Sequence, residues 1–403
     1  MLRDTDTAAL LAGISSEPSW FRWWLGDWPL LNGFYRPVVT ATLQFDLALF
    51  GAEAAGYGWT NAAFASLCVL ALFVLAKQLF SLGAALATAT VFSFWVSDFS
   101  ALFFTWFWWL LPVGIALGIV LGAVLRARTL SLIWFFLLLG YLWMELEGRQ
   151  QLVFGIVQWI PGRTASLSFL FGALALACAL SLSRCKSQRG ILLTFAASLV
   201  LALLSIGSYE QAYMLPAIGY ALFAFRGEWK SKQALTAVGV LAAAVVVMVL
   251  ARHFWVGWQP SGYQQQQLKP VASGLLALLY FLIPATFYWT RITTAIASGW
   301  LILMTVPLWH TVLEIGGMVR GSFATFTPPW RLLPLYLAAF LAFLPMAFLH
   351  HFPHYLLWPM GFLALFCVAL AQHTASEFKR VFVRPEVQAP PRSDPAPGSL
   401  PAG

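Results

Sequence analysis

The chain has 403 residues, of which 61% are hydrophobic and only 9% are charged, and its mean hydropathy is +0.79. A soluble domain carries about 25% charged residues, so this composition excludes a water-soluble globular protein. The formal net charge of +8 comes from short basic clusters between apolar runs. A nucleic-acid-binding surface would need a continuous basic stripe, so we expect no nucleic acid partner.

The apolar runs are continuous and do not alternate with polar residues, which indicates membrane helices and not the strands of a membrane barrel. We therefore predict an all-α, polytopic transmembrane helix bundle with about twelve spans. Residues 38–51 form a shorter apolar stretch, either an additional short helix or one lying at the membrane surface. The twelve longer runs lie at 60–80, 82–101, 104–125, 130–146, 164–183, 190–207, 211–225, 234–254, 271–290, 294–313, 333–349 and 355–373.

Three regions follow from this pattern. Residues 1–59 are expected to form an external first loop with interfacial helices, and residues 60–373 the transmembrane bundle. Residues 374–403 are first basic and then rich in Pro and Ala, which predicts a disordered tail.

Basic clusters set the expected topology, because loops rich in Lys and Arg stay in the cytoplasm. An even number of predicted spans separates the clusters, so all of them can share the cytoplasmic face. The first loop, the loop at 147–163 and the turn at 208–211 then fall on the external face. An external start needs an anchor, so we expect the reading frame to encode a further apolar helix upstream. The clusters are Arg126/Arg128, Arg184/Lys186/Arg189 and Arg226/Lys230/Lys232.

Metal-ligand patterns are weak in this sequence. The four cysteines show neither the spacing of a disulfide framework nor that of a metal site. Three histidines before the last span have no carboxylate or cysteine nearby, so they predict an interfacial turn and no metal site: His350, His351 and His354.

The first residues contain two carboxylates, Asp4 and Asp6, at the predicted outer membrane surface. Paired carboxylates in such a place can deprotonate an acceptor hydroxyl or bind a divalent cation. The alternative is N-capping of a helix over residues 8–14, which is the more frequent use of Asp and Thr at a helix start.

The next two features lie at the membrane surface. Residues 19–28 contain four Trp, which predicts an aromatic segment in contact with membrane lipid headgroups. Arg36 stands directly before Pro37, which prevents a helix from starting earlier. Its paired donors can bind a phosphate, although an Arg at this place is also typical of a snorkelling anchor.

Six segments, in order along the chain, resemble bacterial GT-C-type glycosyltransferases, in particular relatives of the transmembrane and tetratricopeptide-repeat O-mannosyltransferases. Tyr209 stands where that family has Lys, His354 stands where it has Arg, and no repeats follow residue 373. The segments are 35–39 (Tyr-Arg-Pro-Val-Val), 50–51 (Phe-Gly), 57–61 (Tyr-Gly-Trp-Thr-Asn), 158–164 (Gln-Trp-Ile-Pro-Gly-Arg-Thr), 208–211 (Ser-Tyr-Glu-Gln) and 354–359 (His-Tyr-Leu-Leu-Trp-Pro).

The resemblance implies transfer of a sugar from a polyprenyl-phosphate donor to a glycan, lipid or protein acceptor on the external face of the bacterial inner membrane. The family carries acidic residues in its first external loop, so Asp4 and Asp6 become candidate catalytic bases. The implied substrate-binding residues are Arg36, Arg163, Glu210 and His354, with the two arginines on the phosphate.

Other interpretations remain open at this stage. Arg163 can merely anchor its helix, and Glu210 can be a first-turn carboxylate that interacts with a helix dipole. A transporter or lipid-carrier flippase is the main alternative function, although such proteins place ionisable groups near the bilayer midplane, whereas here they gather at predicted helix ends. A non-catalytic GT-C homologue is the third possibility.

Overall fold

The computed structural model describes residues 5–17, 19–96, 156–157, 159–185, 187–259, 261–282, 329–349 and 353–378. This part of the chain forms α-helices and short 3-10 turns and contains no strand, only one isolated bridge between Leu268 and Leu349. The predicted all-α class is therefore confirmed for these ranges.

The α-helices of the described ranges are numbered here in chain order. They are α1 Thr5–Ser16, α2 Pro37–Phe50, α3 Ala54–Leu79, α4 Leu82–Val96, α5 Arg163–Ser181, α6 Gln188–Ile206, α7 Leu215–Phe225, α8 Lys232–Trp255, α9 Gly262–Gln267, α10 Val271–Leu282, α11 Leu333–Ala347 and α12 Leu357–Phe378.

Within these ranges, six helical stretches are long and apolar enough to cross a membrane. They include α3, α5, α6, α8, α11 and α12, which supports a multi-pass membrane protein. Helix α2 is a shorter apolar helix, as the stretch at 38–51 predicts. The predicted spans at 104–125, 130–146 and 294–313 lie outside the described residues.

Region boundaries differ in detail from those expected. Helix α3 begins at Ala54, so the boundary placed after residue 59 falls inside it. The Tyr57 hydroxyl donates to the Gly51 carbonyl at 2.8 Å and closes the turn that precedes this helix. Helix α12 continues to Phe378, so the beginning of the predicted tail is helical. The Pro-rich end of the tail is outside the described residues.

Helix α5 lies at the centre of the bundle, where it packs against α3, α6, α7, α8 and α12. Its contact with α12 is close because each helix offers a glycine to an aromatic ring of the other. A Cβ on Gly172 would come within 2.3 Å of the Trp358 ring, and one on Gly361 within 2.4 Å of the Phe169 ring. Small residues permit this approach in membranes, where helix contacts depend on close packing.

The direction of these helices separates two ends of the bundle. Helix α5 runs from Arg163 to Ser181 and α6 returns, so Arg163 and Glu210 lie at one end, which we call the Arg36 end. The other, basic end carries Arg184, which donates to the Gln78 side chain and carbonyl at 3.0 Å each. Arg226 also lies at the basic end.

Hydrogen bonds to the Gly33 carbonyl hold the segment before α2 against the Arg36 end of the bundle. Gln264 Nε2 donates to this oxygen at 2.7 Å and Arg252 Nη2 at 3.2 Å. The Asp27 carboxylate accepts from the Gly33 amide at 2.9 Å. Gly33 has φ +82°, a left-handed conformation that glycine adopts without strain. These contacts fix the chain immediately before Arg36.

Candidate functional site

Arg36 is the residue immediately before the first turn of α2. Pro37 begins the helix because it has no amide hydrogen to satisfy there. The Val38 amide donates to the Gly207 carbonyl at 3.3 Å, which brings the start of α2 against the turn between α6 and α7. The Tyr35 hydroxyl donates to the Trp24 carbonyl at 2.9 Å on the other side. Arg36 is thereby placed beside Glu210.

Arg36 and Glu210 form an ion pair across 174 residues of sequence. Arg36 Nε and Nη2 donate to the same carboxylate oxygen, Oε2, at 3.2 and 2.8 Å. The side chains keep 12% and 22% of their surface exposed. The second oxygen, Oε1, is buried and has no partner in the described part of the chain. Within these residues, Glu210 Oε1 therefore accepts no hydrogen bond, and the ion pair does not use Arg36 Nη1.

Aromatic rings enclose the Arg36 guanidinium. Its carbon lies 4.0 Å from the centre of the Phe34 ring, 4.7 Å from that of Tyr209 and 5.5 Å from that of Trp28. These distances are typical of cation–π contacts. Burial is the largest influence and lowers the pKa of Arg36, but the Glu210 carboxylate together with Tyr209 and Tyr355 outweighs it, so the pKa is raised overall. The site thus holds a permanent cation in a weakly hydrated setting.

His354 joins the same cluster from the 3-10 turn Pro353–Leu356, which precedes α12. Its ring lies 5.1 Å from that of Trp159 and 6.0 Å from that of Tyr209, and Tyr355 lies 6.0 Å from Tyr209. Gln211 holds the His354–Tyr355 segment in place, because its Nε2 donates to the Tyr355 carbonyl at 3.1 Å. His354 is buried among rings, and no group of three potential metal ligands occurs among the described residues.

Asp6 lies in the first turn of α1 and is exposed. The charge of Asp6 acts on Tyr263, an aromatic residue of α9. Burial raises the pKa of Tyr263, the Asp6 carboxylate raises it further, and the Arg36 cation lowers it. Both charges therefore act on this phenol. Asp4 is outside the described residues, and the divalent cation expected at Asp4 and Asp6 stays a prediction.

Arg163 is not part of this cluster. It is fully buried, and each of its three guanidinium nitrogens donates to a side chain of α2 or α3. Nη2 bonds Asp46 at 2.5 Å, and Nε bonds Asn61 at 2.7 Å. Asp46 also accepts from Thr60 at 3.1 Å. Because these donors are all in use, the geometry favours the anchoring role for Arg163 over phosphate binding.

Three of the candidate residues are thus brought together, namely Arg36, Glu210 and His354. Arg163 lies apart, and Asp6 is linked to the group only through the effect of its charge on Tyr263. Sequence reasoning missed Asp46, although a carboxylate inside an apolar helix is itself a signal that a buried partner exists. It also missed Tyr263, which stands directly before the polar run Gln264–Gln267 in the sequence. No local signal identifies Tyr263, since only tertiary contacts bring it here.

No protein-family model matches the chain, and no curated protein and no solved structure is significantly similar to it. The likeness to GT-C glycosyltransferases therefore depends on the six segments alone. The chemistry of the site has to be argued from its own residues.

Proposed function

We propose that this chain is a GT-C-type glycosyltransferase of the bacterial inner membrane, with about twelve spans. It transfers a sugar from a polyprenyl-phosphate donor to an acceptor on the external face. One observation supports this most: four of the six resembling segments meet at the Arg36 end. They contribute Arg36, Trp159, Glu210 and His354, which the sequence separates widely.

Arg36 is the candidate phosphate-binding residue. Its guanidinium is charged, and Nη1 remains for an acceptor outside the ion pair. The surrounding rings reduce the hydration of the guanidinium, and a fixed cation in such a place stabilises charge that develops on a leaving phosphate. Glu210 keeps the guanidinium oriented, and its Oε1 can accept a hydrogen bond from a sugar hydroxyl.

Asp6, together with Asp4, is the candidate base. The acceptor oxygen attacks the anomeric carbon while the bond from that carbon to the phosphate oxygen breaks. The acceptor proton passes to a carboxylate and polyprenyl phosphate leaves with the bond electrons. A divalent cation held by the two carboxylates would assist by polarising the acceptor hydroxyl. A single displacement of this kind inverts the configuration at the sugar carbon.

The test uses washed membranes that contain the full chain and labelled polyprenyl-phosphate mannose or glucose. We expect Asp4→Asn/Asp6→Asn to lower transfer by about 100-fold or more, the usual contribution of a general base. Glu53→Gln is the matched control, because Glu53 is an exposed carboxylate at the start of α3. Wild-type rates in the double variant would contradict the role of the base. Absence of transfer by the wild-type chain with either donor would contradict the proposed function.

A lipid-carrier flippase is the second candidate, and the ion pair of Arg163 and Asp46 is the observation that favours it. Ionisable groups buried between apolar helices are typical of transport pathways. In a flippase, reconstituted vesicles would move a labelled polyprenyl-phosphate sugar across the bilayer without transferring it. In the enzyme, transfer would occur with no movement of the intact donor.

A further inference from the structure

Helix α9 has six residues, four of which are consecutive glutamines. Its first turn has a capping box in which Ser261 and Gln264 satisfy each other's backbone amides. The same two side chains then reach the segment before α2, since Ser261 Oγ donates to the Asn32 carbonyl and Gln264 Nε2 to that of Gly33. Helix α9 is thus fixed over the chain that leads to Arg36.

Tyr263 is the residue that this arrangement presents to the site. Its ring meets that of Phe34 edge-on, with centres 6.2 Å apart and an interplanar angle of 83°. Phe34 also contacts Arg36, whose guanidinium carbon lies 4.0 Å from the ring centre. Tyr263 is 42% exposed, whereas the neighbouring Tyr209 and Tyr355 are buried. It is therefore the tyrosine of this cluster that a ligand can reach.

Tyr263 and Arg36 both contact the Phe34 ring, so the phenol lies close to the proposed phosphate-binding cation. Asp6 and Arg36 act on the pKa of Tyr263 in opposite directions, after the increase that burial causes. In the proposed reaction the phosphate is at Arg36 and the attacking hydroxyl is at Asp6, so the sugar occupies the space between them. A phenol hydroxyl can donate to a sugar hydroxyl and also accept from one.

We infer that the Tyr263 hydroxyl binds the sugar of the donor lipid, between the Asp6 carboxylate and the phosphate held by Arg36. This rests on the proposed function and adds to it a residue that recognises the sugar. Tyr263 contributes no charge, so it discriminates between donors by the hydroxyl pattern of the sugar and leaves phosphate binding to Arg36.

The experiment measures the affinity of the purified full chain, in lipid nanodiscs, for three probes. These are polyprenyl-phosphate mannose, polyprenyl-phosphate glucose and sugar-free polyprenyl phosphate. Tyr263→Phe keeps the ring contact with Phe34 and removes only the hydroxyl. We expect its affinity for the preferred sugar-bearing lipid to fall about two- to tenfold, the loss of one hydrogen bond, with unchanged affinity for the sugar-free lipid.

Tyr220 supplies a matched control at the basic end. It is 39% exposed, and its ring meets Trp229 edge-on with centres 6.3 Å apart, so Tyr220→Phe makes the same chemical change in a similar setting. Equal losses for the sugar-bearing and sugar-free lipids, or no loss at all in Tyr263→Phe, would overturn the inference. Failure of the wild-type chain to bind any of the three lipids would instead overturn the proposed function, and the inference with it.

Discussion

Two ion pairs at the Arg36 end use the same chemical groups in different ways. The Arg163/Asp46 pair is almost completely buried, at 0% and 1% exposure, and neighbouring side chains occupy its remaining donors and acceptors. The Arg36/Glu210 pair keeps 12% and 22% exposure and retains a carboxylate oxygen without a partner among the described residues. The donors and acceptors of the Arg163/Asp46 pair are occupied, whereas the Arg36/Glu210 pair can still accept a hydrogen bond from a ligand.

The difference shows that the role of a charged residue in a membrane protein is best assigned from which of its donors and acceptors are already hydrogen-bonded. An arginine whose nitrogens are all committed can bind substrate only by giving up contacts that are costly to lose in a buried place. An arginine that keeps a nitrogen outside its ion pair and part of its surface exposed avoids this cost. The sequence gives Arg36 and Arg163 equal standing as phosphate ligands, and their surroundings separate them.

The largest effect should come from breaking the buried pair. Asp46→Ala leaves the Arg163 cation without a partner inside the bundle, so we expect the free energy of unfolding to fall by about 3–5 kcal/mol. Glu210→Ala should cost about 1 kcal/mol or less, since its pair is partly exposed. Reversible denaturation of the purified chain in mixed micelles measures both values. Equal losses in the two variants would remove the distinction between the pairs.

A double variant refines this test. Asp46→Leu/Arg163→Met removes both charges together, and replacement of a buried pair by apolar residues is often nearly neutral. We expect it to be more stable than Asp46→Ala. If the double variant also retains transfer activity, Arg163 has no essential role in phosphate binding.

The next effect concerns activity. Arg36→Gln removes the cation proposed to stabilise the leaving phosphate, so the transfer rate should fall about 100- to 1000-fold with a small change in stability. Arg36→Lys should lie between this variant and the wild type, because an ammonium cannot reproduce the planar donor set. Initial rates on membranes, normalised to the amount of protein, measure this. A wild-type rate for Arg36→Gln would show that the exposed pair is structural like the buried one.

Glu210→Gln should have a smaller effect. The amide retains an oxygen for Arg36 but loses the negative charge, so one charge-assisted hydrogen bond is weakened by about 1.5 kcal/mol. We expect turnover to fall about tenfold while the protein keeps its stability. Glu228→Gln is the control, because Glu228 pairs with Arg226 at the basic end, away from the site. A larger loss in the control would indicate a general effect on the fold.

The smallest expected effect is a difference in salt dependence. Coupling energies from double-variant cycles should decrease by a few tenths of a kcal/mol for the Arg36/Glu210 pair between about 0.05 and 1 M salt. Mobile ions do not reach the Arg163/Asp46 pair, so its coupling should stay constant. The measurement repeats the unfolding cycles at both salt concentrations, and a parallel decrease for the two pairs would contradict their difference in accessibility.

Much of the helical organisation could be predicted because it depends on neighbouring residues. Six of the twelve runs that predict spans correspond to α3, α5, α6, α8, α11 and α12, since length and apolar composition are local properties. Helix starts are local too, as Ser187 and Ser231 accept from the amides three residues ahead. The start of α3 at Ala54 was not predicted, because the hydrogen bond from the Tyr57 hydroxyl to the Gly51 carbonyl closes the preceding turn and no apolar pattern indicates it.

The sequence by itself determined that this is a helical membrane protein and which charged residues lie at helix ends. Only the tertiary structure decided what each charge does, because the deciding partners are far away in the chain: Glu210 is 174 residues from Arg36, and Asp46 is 117 residues from Arg163. Periodicity and composition carry information only about the helix to which a residue belongs. The role of an arginine depends on which side chains other helices bring within hydrogen-bond distance, and no local pattern contains that information.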